Sequence, residues 1–110
     1  MYYVYVIQSK KDRKWYTGST NDLRKRFNEH NSGKVFSTKN RGPFKLIYYE
    51  ACLDESDARD REIYLKSGMG KRYLKNRLKR FLSLTGFIKG YAITSSFKPH
   101  TFKRRFELTV

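Results

Sequence analysis

Five side chains lie along this sequence in an order that suits the cutting of a phosphodiester. They are the phenols of Tyr5 and Tyr16, the guanidinium of Arg26, the imidazole of His30 and the carboxylate of Glu62. The phenols sit in two short signatures, Tyr3-Val4-Tyr5 and Tyr16-Thr17-Gly18, separated by a basic, turn-like stretch. A guanidinium offers fixed donors to a phosphate whose charge grows in the transition state. A phenol or an imidazole can take a proton from water, and a carboxylate can anchor a divalent cation.

The setting is strongly basic. Lys and Arg number 25 against 10 acidic residues, a formal charge of +15 over 110 residues. Such a surface is expected to meet a polyanion, because neutralising phosphates releases counterions. An anionic membrane is the other partner that charge permits. No segment approaches ~18 apolar residues, however, and no stretch pairs a Lys-rich face with a clean apolar one. A small basic RNA- or ribosome-associated protein would fit the size but leaves Glu62 unexplained. The lone Cys52 rules out an internal disulfide and a cysteine zinc site, and is expected as a small buried side chain. The start has no charged segment leading into an apolar one, so a cytoplasmic location is expected.

The length supports one domain with a modest core, in which aromatic residues (16% of the chain) must do much of the packing. Residues 2–8 are β-branched and aromatic almost throughout, which predicts a strand buried on both faces. Residues 9–14 turn the chain, and Trp15 to Gly18 return as a second strand, with Gly18 marking a close approach of backbone or ligand. Ser19 to Asp22 offer N-caps for a helix over 23–31 that Gly33 ends. A basic, Ser/Thr-rich loop over 34–43 leads to a third strand over 44–52. Asp54 caps a second helix through Lys66, Ser67-Gly68-Met69-Gly70 breaks it, and a third helix spans about 71–82 with Leu74, Leu78 and Phe81 on one stripe. The expected fold class is α/β, a small β-β-α-β-α-α sandwich with a three-stranded antiparallel sheet flanked by helices. Residues 1–82 read as the domain and 83–110 as a basic, aromatic, partly ordered extension.

These elements decide what the chemical groups can do. At about 100° per residue, Leu23, Phe27 and His30 fall on one line of the first helix, with Arg26 at its edge. His30 is then either a satisfied core histidine or, with Arg26 one turn away, one of two heads on a single phosphate. On the second helix Glu62 shares a face with Ala58 and Leu65. An inward carboxylate there either pairs with an arginine or holds a metal. Alternation puts Tyr3, Tyr5 and Ile7 on one face of the first strand, and a hairpin can bring Tyr16 to the same end of the sheet. With nine tyrosines in the chain, most must serve packing.

Taken in order, the two tyrosine signatures, Arg26-Phe27-Asn28-Glu29-His30, Glu62 and Leu74-Lys75-Asn76-Arg77-Leu78 resemble the GIY-YIG nuclease domain over residues 2–82. The resemblance is to its small stand-alone members, of the UPF0213 type and related to the UvrC N-terminal domain. Tyr3-Val4-Tyr5 stands where the family name has Gly-Ile-Tyr, and Thr17 where it has Ile; neither change removes a reactive group. The resemblance implies the GIY-YIG fold and a metal-dependent endonuclease hydrolysing DNA, structure- or end-directed, in DNA repair or processing. It implies Mg²⁺ or Mn²⁺ held by Glu62, Arg26 as the catalytic arginine, and Tyr5 and Tyr16 as active-site tyrosines whose phenolate Arg26, lysines and the metal would favour. His30 would accept a proton or orient a phenol, and Asn76 is placed like the family's late asparagine. Nucleic acid, DNA with RNA left open, would be gripped by Lys34, Lys39 and Arg41 in the loop and by Lys71, Arg72 and Lys75 on the third helix. Lys103-Arg104-Arg105 among Phe97, Phe102 and Phe106 would suit single strands. The alternative is a nucleic-acid-binding protein of the same fold that does not cut, or cuts only with a partner.

Overall fold

The first strand, β1 (Tyr2–Ser9), forms the middle of a three-stranded sheet in the computed structural model, which describes residues 1–84. The strands β2 (Trp15–Thr20) and β3 (Phe44–Cys52) flank it, both antiparallel. Between and after them come α1 (Leu23–Asn31), a 3₁₀ turn (Phe36–Thr38), α2 (Glu55–Lys66), α3 (Gly68–Arg77) and α4 (Lys79–Leu84). The α/β class and the antiparallel sheet flanked by helices are those the sequence predicts. Met1–Tyr73 make one compact unit, and the described residues from Leu74 to Leu84 belong to another.

The central position of β1 explains its composition. Val4 to Ser9 are all buried, so both faces of the strand demand apolar or hydrogen-bonded side chains. Tyr5 and Ile7 share one face with Tyr16 on β2 and with Phe44 and Leu46 on β3, and there they pack with Leu23 and Phe27 of α1. One extra β3 residue, Ile47, lies between the partners of Val6 and Ile7 and shifts the register locally. The other face carries Val4, Val6, Ser19 and Glu50 and receives α2. Arg61 of α2 forks onto Glu50, with Nε at 2.9 Å from Oε1 and a terminal nitrogen at 3.0 Å from Oε2. Its guanidinium also lies over the rings of Tyr64 and Tyr73, and Tyr48 donates to Glu50 at 2.8 Å.

Local chemistry sets the helix bounds. The Asp22 carboxylate accepts the Lys25 N–H at 3.1 Å, and that of Asp54 accepts the N–H groups of Ser56 and Asp57. Past Ser32, Gly33 takes a φ of 77°, which favours glycine. The Asn31 side chain then clips the loop shut, accepting the Phe44 N–H at 2.6 Å and donating to its carbonyl at 3.4 Å. Ser9 Oγ donates to the Arg41 carbonyl at 2.7 Å, tying the same loop to β1.

The structure departs from expectation at the second break. The predicted four-residue interruption shrinks to Ser67, which serves two helices at once. Its N–H donates to the Tyr64 carbonyl at 3.0 Å and its Oγ to the same carbonyl at 2.6 Å, closing α2. The same Oγ accepts the Gly70 N–H at 3.1 Å, and the Ser67 carbonyl accepts that of Lys71, opening α3. Helix therefore resumes at Gly68, three residues earlier than predicted. The expected third helix is also split at Leu78, although N–H bonds from Leu78 to Leu74 and from Leu82 to Leu78 carry the ladder across. Leu74 and Leu82 are buried and Leu78 and Phe81 half-buried. Cys52 is half-buried rather than buried, because it ends an edge strand. The predicted extension, beyond its first two residues, with Phe97, Phe102, Lys103, Arg104, Arg105 and Phe106, lies outside the described residues. Among the described residues no helix is long and apolar enough to cross a membrane.

The elbow between α2 and α3 is tight because Gly70 has no side chain. A Cβ there would overlap the Tyr64 carbonyl and the Leu65 Cα, which are backbone and cannot swing aside. Gly70→Ala is expected to cost about 3 kcal/mol of stability, the upper range for overpacking. Urea titration followed by circular dichroism measures it, and an unchanged midpoint would contradict this account of the elbow.

Candidate active site

Hairpin register sets the core of the site. Tyr5 pairs directly with Gly18 and Ile7 with Tyr16, so the two phenols lie diagonally on one face. A Cβ at Gly18 would stand 2.6 Å from the Tyr5 hydroxyl oxygen and 3.2 Å from the Tyr16 ring. The glycine thus leaves the space across which Tyr5 reaches toward the edge strand, the close approach that its position in a strand predicts. His30, 1% exposed, comes down from α1 between the two rings, with its centroid 5.6 Å from that of Tyr5 and 5.1 Å from that of Tyr16. Its Nε2 lies 2.7 Å from the Tyr5 hydroxyl and its Nδ1 2.8 Å from Thr38 Oγ1. The Thr38 hydroxyl donates to the Val35 carbonyl at 3.5 Å, which leaves it to accept Nδ1–H and leaves Nε2 to accept the phenolic proton.

Two charged groups frame this cluster. Arg26 sits at the edge of α1 beside the Tyr5 hydroxyl and pairs with Glu29 at 3.1 Å. Glu62 approaches from α2, on the opposite face, and reaches Ser19 of β2, an edge strand of the sheet. Ser19 Oγ donates to its Oε1 at 2.7 Å, and Lys66 Nζ donates to its Oε2 at 2.8 Å. An open groove of about 400 Å³ runs along this edge, between the start of α1 (Asp22, Lys25, Arg26, Glu29) and the first turns of α2 (Glu55, Ala58, Arg59), with Ser19 and Thr20 in its wall. Glu62 lies one turn beyond Ala58 on α2.

Burial and neighbouring charge set the protonation states. Burial pushes the Tyr5 phenol up to about 12, against the opposing hydrogen bond and charge of Arg26; the charges of Tyr16 and Glu62 add to the rise. Arg26 favours the phenolate, as expected, but desolvation outweighs it, so Arg26 alone does not ionise Tyr5 at neutral pH. Burial, with the Arg26 charge, lowers His30 to about 4, so the ring is neutral at pH 7. Burial also disfavours ionised Glu62, but the bonds from Lys66 and Ser19, with the charges of Lys66 and Arg59, prevail and hold its carboxyl below the usual range.

Tyr5, Tyr16, Arg26 and His30 are thus brought together, while Glu62 stands across β2 from them on Ser19, near enough for its charge to act on Tyr5. Each open alternative takes one revision. His30 has both nitrogens engaged inside the protein, so it cannot share a phosphate with Arg26; it holds Tyr5 instead. Glu62 pairs with a lysine and a serine rather than an arginine, since Arg61 is committed to Glu50. Lys34 and Lys39 are exposed and Arg41 half-buried in the loop, while Lys71, Arg72, Lys75 and Asn76 are exposed on α3. Thr38, Ser19 and Glu29, the partners of His30, Glu62 and Arg26, escaped the sequence reading. Glu29 was findable, being three residues from Arg26 on one helix. Thr38 lies in an irregular loop with no period to reveal it.

The chain is similar to known proteins across most of the described residues. The GIY-YIG catalytic domain matches residues 1–79. A UPF0213 protein of Clostridium perfringens is 45% identical over 67 residues, 60% of this chain and 71% of its own. The UPF0213 protein YazA of Bacillus subtilis is 42% identical over 66 residues, 59% of this chain and 66% of its own. The solution NMR structure of a UPF0213 protein from Bacillus halodurans aligns over 89% of this chain and 100% of its own, at 31% identity and a TM-score of 0.40.

The buried imidazole predicts a pH signature. His30 is neutral in the fold and protonates near 4, against about 6.5 when unfolded. Its depressed value contributes stability that is fully present above pH ~6.5 and is lost as the pH falls toward 4, by up to about 3 kcal/mol. Proton NMR should find the His30 midpoint near 4, and a midpoint near 6.5 would contradict the buried, neutral ring.

Proposed function

The chain belongs to the GIY-YIG catalytic-domain family, and on that premise we propose that it is a metal-dependent endonuclease that hydrolyses phosphodiester bonds in DNA. Family membership implies nuclease-type activity and a nucleic-acid substrate. The further reading, DNA cut at structures or ends in repair or processing, is supported by the +15 charge, which suits a nucleic acid without sequence preference. The observation that carries the proposal is the meeting of Arg26, the Tyr5–Tyr16 pair and an ionised Glu62 around one edge strand.

Each residue has a distinct task in this scheme. Arg26 turns from Glu29 to the scissile phosphate and neutralises the charge that develops there. As the attacking water gives its proton to Tyr5, the phenolic proton of Tyr5 passes to His30 Nε2; Tyr16 is the alternative base, acting through its phenolate. His30 fixes the direction of the Tyr5 hydroxyl and offers Nε2 to its proton. Glu62 fits a hard cation: it is a single ionised carboxylate, and among the described residues no three His, Cys, Asp or Glu side chains converge. That donor set suits Mg²⁺ or Mn²⁺, which use one or two carboxylates and keep their waters, rather than a caged zinc. When bound, the ion supplies Lewis-acid stabilisation of the phosphate and leaving oxygens. Lys66 must then release one carboxylate oxygen.

A second reading draws on the same pairings. Arg26 is neutralised by Glu29 and Glu62 by Lys66, so both charges are compensated before any substrate arrives. This arrangement suits a binding protein that does not cut, or that cuts only when a partner opens the pairs.

Cleavage of labelled duplex, single-stranded, nicked, flap and junction DNA, with matched RNA, in Mg²⁺, Mn²⁺ or EDTA separates the two. Arg26→Ala and Glu62→Ala are each expected to slow cleavage at least ~100-fold with the circular dichroism spectrum unchanged. Either variant cutting at the wild-type rate would remove that residue from the mechanism. Tight, salt-sensitive binding with no cleavage in either metal would favour the second reading.

A further inference from the structure

Phe36 is 91% exposed, the highest value among the exposed large apolar side chains of the described residues. A single apolar side chain on a surface is ordinary. This one differs in how it is presented. It opens the 3₁₀ turn Phe36–Thr38, which is anchored on either side of it: Val35 before it is 7% exposed and Thr38 at the end of the turn is 1% exposed. Thr38 is bonded to His30, and Ser37 Oγ donates to the Tyr16 hydroxyl at 3.4 Å. The turn that projects the ring is therefore fastened to both the histidine and the second tyrosine of the site. Adjacent Cα atoms are ~3.8 Å apart, so the Phe36 backbone lies one residue from the Ser37 contact and two from that of Thr38.

The surroundings of the ring indicate what covers it. Lys34, Lys39 and Arg41 share its loop, and no acidic residue occurs over 34–43. Basic groups that track a backbone around an aromatic platform make the combination that binds unpaired bases, because every base offers a flat face for stacking. Bases inside a duplex are already stacked and present only their edges and backbone.

We propose that Phe36 stacks on an unpaired DNA base next to the scissile phosphate, so that the enzyme selects cleavage positions where a duplex gives way to a single strand. This rests on the nuclease reading above and names the substrate feature that reading leaves open. Ser37 and Thr38 transmit the position of the stack to Tyr16 and His30. Lys34, Lys39 and Arg41 supply affinity without sequence preference.

The test uses 2-aminopurine placed at the first unpaired position of a flap, with a fully paired duplex as control. Binding is measured in EDTA and cleavage in Mg²⁺. Wild-type protein and Phe36→Trp should quench the probe on the flap. Phe36→Ala and Phe36→Leu should abolish quenching and weaken flap binding about tenfold, equivalent to ~1.4 kcal/mol and within the range for one base–aromatic stack. Duplex affinity and the thermal midpoint should be unchanged, since the side chain packs on little of the protein. Flap binding and quenching equal to wild type in Phe36→Ala, or an equal loss on flap and duplex, would overturn the proposal. A wild-type protein that binds the flap and cuts it while Phe36→Ala behaves identically defeats the stacking idea alone. A wild type that binds no DNA in either form defeats the nuclease reading itself.

Discussion

The hydroxyl of Tyr5 reaching across Gly18 to His30 is the contact on which the rest of the site depends. It joins the central strand, the edge strand and α1 through one buried 2.7 Å bond. The bond is possible because Gly18 lacks a side chain where the phenol passes and because His30 is held from behind by Thr38. Desolvation makes such a linkage directional: with ring and phenol both neutral, each donor has one acceptor, and the chain Tyr5–His30–Thr38–Val35 is satisfied without outside partners. The loop after α1 is thereby recruited into the site. Its ends are clipped by Asn31 and Ser9, so the 3₁₀ turn inherits the rigidity of the sheet.

Charge is organised differently on the two faces. Behind the sheet, the forked pair of Arg61 and Glu50, with Tyr48, Tyr64 and Tyr73 around it, docks α2 and leaves no charge for chemistry. At the β2 edge, Arg26 and Glu62 are also paired, but to Glu29 and Lys66, neighbours on their own helices whose ion pairs remain partly solvated. Such pairs contribute little, typically below ~1 kcal/mol, and can be exchanged for a phosphate or a cation at small cost. The difference separates a structural ion pair from a poised one within the same domain.

Helix α2 links these roles. Its Arg61 locks it to the back of the sheet, its Glu62 bonds Ser19 of the edge strand, and its end is fixed by Ser67 and Gly70. A carboxylate offered to a metal must not drift, and here its helix is restrained at both ends by a cap and along its length by the Glu50 contact.

Much of this was legible in the sequence, for reasons of period and local chemistry. Alternation placed Tyr5 and Ile7 together, the helical repeat aligned Leu23, Phe27 and His30, and it set Glu62 beside Ala58 and Leu65. Asp22 and Asp54 announced their helices as caps, and Gly18 announced a close approach. What the tertiary structure alone decided was partnership. Whether His30 would meet a phosphate or a phenol depended on Thr38, eight residues away in a loop without periodicity. Whether Glu62 would meet an arginine depended on Glu50, a strand residue that claimed Arg61 first. The break between the second and third helices was likewise misjudged, because one serine hydroxyl can serve two helix ends only when a glycine lets them approach. Side-chain direction follows from local geometry and is written in the order of residues. The choice among competing partners, and the balance of burial against charge that sets Tyr5 near 12, depends on what folding brings to the same few ångströms.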